Sequence, residues 1–245
     1  MKSIIRMTFF ALIFLSATAV YAQPKISRDK IPEETAAEAK EAISNLYSPD
    51  ASVRQSACVK LRDMGEGAVA AVPFLENMLY EKRVGSFNPV LPGEFAAWAL
   101  AEMGDSGFNT LISALKDNNA TVRANAICGI GHTKRSESLD YLLAALTDQD
   151  RNVRYNSVNS LGSLSQVIDD KRIKEGFLVA LKDKDIGVQD QALFWIENGA
   201  CSIDDTVVKA LTLALQDFNK EIRERAARIL EKTTGKKYKW RRWYD

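Results

Sequence analysis

The stretch LKDNNATVRANAICGI, residues 115–130, recurs along the chain without gaps. Most copies open with Leu and carry Asp after two positions, Asp or Asn after four, Val or Ile after seven and an apolar residue after fifteen. The other copies are LTDQDRNVRYNSVNSL from Leu146, LKDKDIGVQDQALFWI from Leu181, LQDFNKEIRERAARIL from Leu215 and, matching at most positions, LYSPDASVRQSACVKL from Leu46. Because such self-similarity is typical of repeat architectures, the repeat decides the fold.

Each copy predicts the junction of two helices. The opening Leu closes a first amphipathic helix, as in LDYLLAAL at residues 139–146, where apolar residues recur at helical spacing. In the first copy Val53, Ala57 and Leu61 lie four residues apart, which places them on one face of a second helix. Polar residues suited to capping that helix stand before it in the five copies: Asp50, Asn119, Asp150, Asp185 and Asn219.

Small residues mark the middle and the end of the second helices. Those in the middle allow neighbouring helices to approach closely, and they are Ala57, Ala126, Ser157, Ala192 and Ala226. Glycines near the end are expected to form C-terminal caps, and they are Gly65, Gly104, Gly131, Gly162, Gly199 and Gly235. A divergent copy lies between the first two, with Glu94 at the Arg position and the insertion VGSFNPVLPG ahead of its second helix.

These motifs resemble the HEAT-repeat family, in particular its short form named after phycobilisome lyases, from about Glu33 to Gly235. The resemblance implies an all-α fold, a right-handed α–α superhelix of about six helical hairpins. It also implies that an Arg of one repeat binds an Asp of its neighbour, a structural ladder from which Gln189 departs. The residues in the ladder positions are Arg54, Arg123, Arg154 and Arg223 with Asp117, Asp148, Asp183 and Asp217.

The ends of the chain differ from the repeat domain, which we assign to residues 23–235. Residues 1–22 have the plan of a secretory signal peptide, with Lys2 and Arg6 ahead of an uncharged run and cleavage expected after Ala22. Gln23 stands where a lipoprotein requires Cys, so we expect a secreted or periplasmic protein without a lipid anchor. Residues 236–245 form a basic, aromatic tail.

Three features favour binding of a partner. In HEAT-type stacks the second helices usually line the concave side, where Tyr155, Asn156, Asn159, Phe194 and Trp195 are expected to project. Long loops on rigid scaffolds are frequent contact sites, which points to Phe87 in the insertion, although a neutral insertion is an equal alternative. In the tail, Trp240, Arg241 and Trp243 suit a membrane surface or an acidic partner, or else they cap the last repeat.

Catalytic and metal sites are not indicated. His132 is the only histidine, so a charge at a helix end explains it better than catalysis or metal binding does. Cys58, Cys128 and Cys201 are expected to lie too far apart to form disulfides. The formal net charge of +1 disfavours nucleic-acid binding, and we expect no cofactor.

The sequence therefore favours an exported scaffold or adaptor for a protein or peptide, rather than an enzyme. The alternatives are a lyase-like or cofactor-chaperone activity, suggested by the repeat subtype, and attachment to the envelope surface through the tail.

Overall fold

The computed structural model describes residues 25–82, 84 and 91–238, and six consecutive helical pairs make up this part of the chain. The pairs are α1 (Ala37–Asn45) with α2 (Ala51–Met64), α3 (Val72–Met78) with α4 (Pro92–Ala101), α5 (Gly104–Ala114) with α6 (Ala120–His132), α7 (Ser138–Ala145) with α8 (Arg151–Leu164), α9 (Lys171–Ala180) with α10 (Ile186–Glu197), and α11 (Asp205–Ala214) with α12 (Lys220–Thr234). Short 3-10 turns occupy Arg28–Lys30 and Gly65–Ala71. The predicted signal peptide, Phe87, Trp240, Arg241 and Trp243 lie outside the described residues.

The predicted capping residues start the second helices. Asp150 is typical, because its side chain accepts a hydrogen bond from the Asn152 amide at 2.8 Å. The divergent α4 begins differently, with Pro92 in its first turn and the preceding Leu91 amide donating to the side chain of Gln55. Side chains at the other predicted cap positions make the same bond as Asp150, namely Asp50, Asn119, Asp185 and Asn219.

The second helices form the inner layer of the solenoid. From α2 through α8 they pack more closely on one another than the first helices do, which places them on the concave side of the curve. The small residues in the middle of each second helix are buried, and Ser157 donates a hydrogen bond to the Leu142 carbonyl of α7, the first helix of its own pair. The apolar residues that end each repeat motif are also buried, and they are Leu61, Ile130, Leu161, Ile196 and Leu230.

Two of the six predicted glycine caps are wrong. Gly65, Gly104, Gly199 and Gly235 have positive φ angles, whereas Gly131 and Gly162 lie inside α6 and α8. A Cβ atom at Gly131 would lie 2.4 Å from the Cβ of Ser160, and one at Gly162 would lie 2.0 Å from Cδ2 of Trp195. These two glycines are thus required by the close approach of neighbouring second helices.

Within the described residues, an arginine ladder joins consecutive repeats at three junctions. In each rung, Nε and Nη2 of the arginine bind both oxygens of a carboxylate from the next repeat, at 2.5–2.9 Å. The remaining Nη1 donates to two backbone carbonyls of the arginine's own turn, such as those of Asp148 and Gln149 for Arg154. The three pairs are Arg54 with Glu81, Arg123 with Asp148, and Arg154 with Asp183.

The other predicted ladder positions, Arg223 among them, form no arginine–carboxylate rung within the described part of the chain. Asp117 accepts a hydrogen bond from the Tyr80 hydroxyl at 2.5 Å, because the Arg position of that preceding repeat is Glu94. Asp217 has no arginine partner among the described residues, since the facing position is Gln189, which bonds instead to the carbonyl of Asp183 at 2.8 Å. Each of these two aspartates still accepts a hydrogen bond from the backbone amide two residues later in the chain, so it stabilises its own turn.

The three cysteines are free, which confirms the expectation that they do not pair. No helix in the described ranges has the length and apolar character to span a bilayer.

Breaking a rung is expected to destabilise the protein strongly. The side chains of Arg154 and Asp183 are only 5% and 8% exposed, so Arg154→Ala leaves a buried carboxylate without its partner. We expect it to lower the free energy of unfolding by about 3 kcal/mol, measured by urea denaturation. The matched control is Arg151→Ala in the same helix. The Arg151 side chain is 64% exposed in its 3.5 Å ion pair with Asp185, so this variant is expected to change stability by less than about 1 kcal/mol. If Arg154→Ala and Arg151→Ala lowered the free energy of unfolding equally, the rung would not be a major source of stability.

The same rung is expected to make stability depend on pH. Burial alone raises the pKa of Asp183, but the hydrogen bonds from Arg154 and from the Asp185 amide outweigh it, so its pKa lies below the ordinary value. A lowered folded pKa gives stability that is present above about pH 4 and is lost as pH falls through the folded pKa. Urea denaturation should show that Asp183→Asn destabilises the protein much less at about pH 2.5 than at pH 7. If Asp183→Asn lowered the free energy of unfolding by the same amount at both pH values, a lowered pKa of Asp183 would be refuted.

Candidate partner-binding surface

Helices α8 and α10 present the predicted binding residues on the concave side. Tyr155 and Phe194 are 38% and 41% exposed, which is high for large aromatic side chains in a folded protein. Asn159 is also exposed, while Asn156 and Trp195 are half-buried. The ladder positions of these two helices are Arg154 and Gln189. The five predicted residues follow them by one, two, five or six positions, so the repeat places them on the same side of both helices.

Four side chains of α8 and α10 form an amide–aromatic cluster, consisting of Asn159, Gln191, Phe194 and Trp195. The side-chain oxygen of Asn159 accepts hydrogen bonds from Gln191 Nε2 at 2.9 Å and from Trp195 Nε1 at 3.2 Å. Phe194 meets Trp195 edge to face, with ring centroids 5.5 Å apart. The Trp195 ring lies against Gly162, so packing and hydrogen bonds fix its position together.

A concave groove of about 630 Å³ adjoins Tyr155 and Asn156, at the first turns of α4, α6 and α8. Asn156 Nδ2 donates to the Ala124 carbonyl at 3.1 Å, and Asn125 Nδ2 donates to the Leu79 carbonyl at 2.8 Å. These two amides therefore bridge neighbouring repeats under the groove. The described residues that line it further are Glu81, Lys82, Leu91, Gly93, Glu94, Asn119, Ala120, Thr121, Asp150 and Asn152.

The groove is polar and carries both signs of charge. Among the described residues that line it, the side chains are mainly amides, carboxylates and hydroxyls, and Lys82 supplies a positive charge. Small-molecule and cofactor sites are lined mainly by apolar and aromatic side chains. Amide and hydroxyl groups instead match the alternating donors and acceptors of a polypeptide backbone.

His132 and Cys128 do not form a reactive pair. Burial lowers the pKa of His132 despite the opposing effect of Glu102, whose Oε1 lies 3.2 Å from Nε2. The imidazole also stacks on Trp98, with ring centroids 5.8 Å apart. Burial raises the pKa of the Cys128 thiol well above its ordinary range, so the thiolate needed for nucleophilic attack is disfavoured. We found no cluster of metal-ligating side chains in the described ranges.

A second cavity, of about 500 Å³, lies between the turns that follow α8 and α10. Lys174 Nζ and Asp204 Oδ2 form an ion pair of 2.5 Å at this place, and Cys201 lines the wall. Burial raises the pKa of the Cys201 thiol to about 11 although Lys174 opposes it, so this thiol too stays protonated at neutral pH. The cavity offers no activated nucleophile.

Sequence reasoning missed three residues near the groove. Glu81 supplies a ladder carboxylate and Tyr80 bonds to Asp117, but both precede the insertion that interrupts the repeat pattern. Asn125 lies two positions after its ladder arginine, as Asn156 does, and this shared register is a signal that could have identified it. Of the predicted residues, the structure brings Asn159, Phe194 and Trp195 together, and Tyr155 and Asn156 lie at the adjacent groove.

Comparison with known families identifies the repeat. Residues 94–117 match the PBS lyase HEAT-like repeat, and residues 108–174 match HEAT repeats. Residues 94–174 of this chain are therefore HEAT repeats. The matched segments include the ladder residues Arg123 and Arg154 and three of the predicted binding residues, Tyr155, Asn156 and Asn159. No curated protein sequence matches this chain.

Several solved structures are similar to this chain at low sequence identity. The complex of CpcE and CpcF of phycocyanin lyase from Nostoc sp. PCC7120 is 22% identical, with a TM-score of 0.53, over 66% of this chain and 98% of that one. A designed armadillo repeat protein in complex with the peptide (KR)4 is 19% identical, with a TM-score of 0.48, over 80% and 99% of the two chains. Another armadillo repeat protein, computationally designed for modular peptide recognition, is 20% identical, with a TM-score of 0.46, over 78% and 98%. The likeness to the phycocyanin lyase complex extends to the fold alone.

Substituting Gly162 is expected to disrupt the amide–aromatic cluster. A Cβ atom there would overlap the Trp195 ring, so Gly162→Ala must displace the ring from α8. We expect a loss of about 1–3 kcal/mol in the free energy of unfolding, together with a shift of the Trp195 indole N–H signal in NMR spectra. Gly67→Ala is the control, because a Cβ atom there would have no neighbour within 4 Å. An unchanged indole signal in Gly162→Ala would disprove this packing.

Proposed function

We propose that this protein is an exported scaffold that binds a protein or peptide segment along its concave surface. The observation that carries the proposal is the exposure of Tyr155 and Phe194 beside hydrogen-bonding amides on adjacent second helices. Exposed aromatic side chains on a rigid surface are frequent anchors of protein interfaces.

The chemistry of the surface favours a polypeptide as the ligand. Asn159 uses its oxygen for Gln191 and Trp195, and the described residues contain no acceptor bonded to its Nδ2 group, which can donate to a peptide carbonyl. The bonds to Asn159 also hold Trp195 in place before a ligand arrives. Such preorganisation reduces the ordering entropy that binding costs.

The repeat subtype suggests a second function, a lyase-like or cofactor-chaperone activity. The properties of the groove do not favour this activity. The lining of the groove is polar, and the Cys128 thiol beside the concave face is disfavoured as a thiolate. The likeness to the phycocyanin lyase complex extends to the fold and supplies no reactive group for this chain. We therefore favour a binding protein over an enzyme.

Export is the part of the proposal that rests on sequence alone. The basic start and the uncharged run of residues 1–22 support a signal peptide, and the protein would then act in the periplasm or outside the cell. Attachment of the basic tail to an anionic surface is compatible with the same location.

The test is selection of peptides on the mature protein from a random display library, followed by calorimetric titration of the selected peptides. We expect Tyr155→Ala and Phe194→Ala each to weaken binding about 10-fold or more, because each removes an aromatic anchor. Circular dichroism should show that both variants remain folded.

The control for this experiment is Val179→Ala on α9, an outer helix on which Val179 is 51% exposed. It is expected to leave the affinity unchanged. Peptides whose affinity is insensitive to Tyr155→Ala and Phe194→Ala, or that lose affinity equally in Val179→Ala, would refute binding at the concave surface.

A further inference from the structure

The junction between α10 and α12 keeps one half of an arginine rung. In the rung of Arg154, Nη1 donates to the Asp148 carbonyl of its own turn, while Nε and Nη2 donate to both oxygens of Asp183. Gln189 occupies the arginine position at the last junction, and its Nε2 donates to the Asp183 carbonyl at 2.8 Å. Gln189 thus repeats the bond to its own turn, and Asp217 is the carboxylate in the register of Asp183.

The other half of this rung presents acceptors where an arginine presents donors. Gln189 Oε1 is buried and has no hydrogen-bond partner in the described part of the chain. The amide cannot be reversed, because its oxygen would then face the Asp183 carbonyl, another acceptor. Asp217 accepts the Asn219 amide at 2.7 Å and forms no ion pair within the described ranges. Since native structures seldom leave buried acceptors unsatisfied, this position requires hydrogen-bond donors.

A cavity of about 200 Å³ adjoins this position on the concave side. It is lined by the residue that directly follows Gln189 and by the residues one and two positions after Arg223. The last two stand in the registers of Tyr155 and Asn156 at the main groove, so the cavity belongs to the same concave surface. The described residues that line it are Asp190, Glu221, Glu224, Arg225 and Arg228.

The cavity attracts a cation. Arg225 pairs with Asp190 at 3.2 Å, and Arg228 pairs with Glu197 at 3.6 Å, so carboxylates of the chain already occupy both arginines. Glu221 forms no ion pair among the described residues. Together with the ladder aspartate of this junction, it leaves negative charge at this end of the concave surface, which favours a positively charged ligand.

We propose that this junction binds the guanidinium group of an arginine side chain of the polypeptide partner, which completes the rung. The inference rests on the proposed function, because the arginine belongs to the segment bound along the concave surface. A guanidinium group offers five N–H donors in one plane, so it can donate both to the Asp217 carboxylate and to Gln189 Oε1. Asp217 is only half-buried, which leaves part of it open to a partner. An ammonium group lacks the planar fork, so lysine should bind more weakly.

Titration with N-acetyl-arginine methylamide, followed by NMR of the Gln189 side-chain amide, tests the site without a peptide. We expect saturable shifts of the amide signals, and affinity about 10-fold lower in Asp217→Asn. This variant keeps the side-chain oxygen that accepts the Asn219 amide, so the turn is preserved. N-acetyl-lysine methylamide is the matched probe and should bind more weakly. Equal affinity of the arginine probe for the wild type and Asp217→Asn would overturn the proposal.

Gln189→Arg places an arginine of the chain itself in the site. It restores the pattern of the complete rungs, so we expect it to raise the urea concentration at the unfolding midpoint and to prevent binding of the arginine probe. Thr212→Arg is the control, because it adds the same charge at an exposed position of the outer helix α11 and should leave probe affinity unchanged. Equal losses of probe binding in both variants would show a general effect of charge and contradict the site.

Peptides selected on the mature protein connect the site with the proposed function. Replacing their arginine by citrulline, which keeps the shape and removes the charge, should weaken binding to the wild type about 10-fold and binding to Asp217→Asn much less. Selected peptides that depend on Tyr155 and Phe194 but tolerate citrulline would refute the inference and leave the proposed function intact. If no peptide bound the concave surface, the proposed function would fail, and titration with the arginine probe would still decide whether the junction binds guanidinium.

Discussion

The bidentate contact between an arginine and a carboxylate of the following repeat is the constraint on which the solenoid depends. One guanidinium group serves two functions, since Arg154 binds the carbonyls of its own turn through Nη1 and Asp183 of the next repeat through Nε and Nη2. Asp183 in turn accepts the Asp185 amide at the start of α10. The turn inside one repeat and the cap of the next helix are therefore set by the same contact.

This coupling matters for function because the concave surface is assembled from different repeats. Asn159 comes from α8, whereas Gln191 and Trp195 come from α10, and their hydrogen bonds require the two helices to keep a fixed register. A buried ion pair contributes uncertain net stability, because desolvation opposes the attraction between the charges. The bidentate contact requires both partners to keep a fixed distance and orientation. We therefore regard fixing the register of the second helices as the main effect of the ion pair.

Much of this architecture could be predicted from the sequence because it follows local rules that every repeat obeys. The helix caps, the buried apolar positions and the rungs of Arg123 and Arg154 all recur at fixed spacing. The failures have a different origin: Gly131 and Gly162 look like helix caps, but the close approach of a neighbouring helix requires them. Glu81 and Tyr80 were missed because the insertion breaks the spacing. Neighbour-specific contacts such as that of Trp195 with Asn159 have no local signature, and the identity of a partner has none either.

The junction between the last two repeats is one of two that lack an arginine rung among the described residues, the other being the Tyr80–Asp117 junction. Gln189 replaces the arginine at the last junction, and α10 and α12 are linked on the concave side by Arg225 with Asp190 at 3.2 Å and by Arg228 with Glu197 at 3.6 Å. These pairs are partly exposed, so dissolved ions screen them far more than they screen the buried rungs. The curvature of the solenoid near α12 is therefore expected to respond to ionic strength more than the curvature set by the buried rungs of Arg54, Arg123 and Arg154.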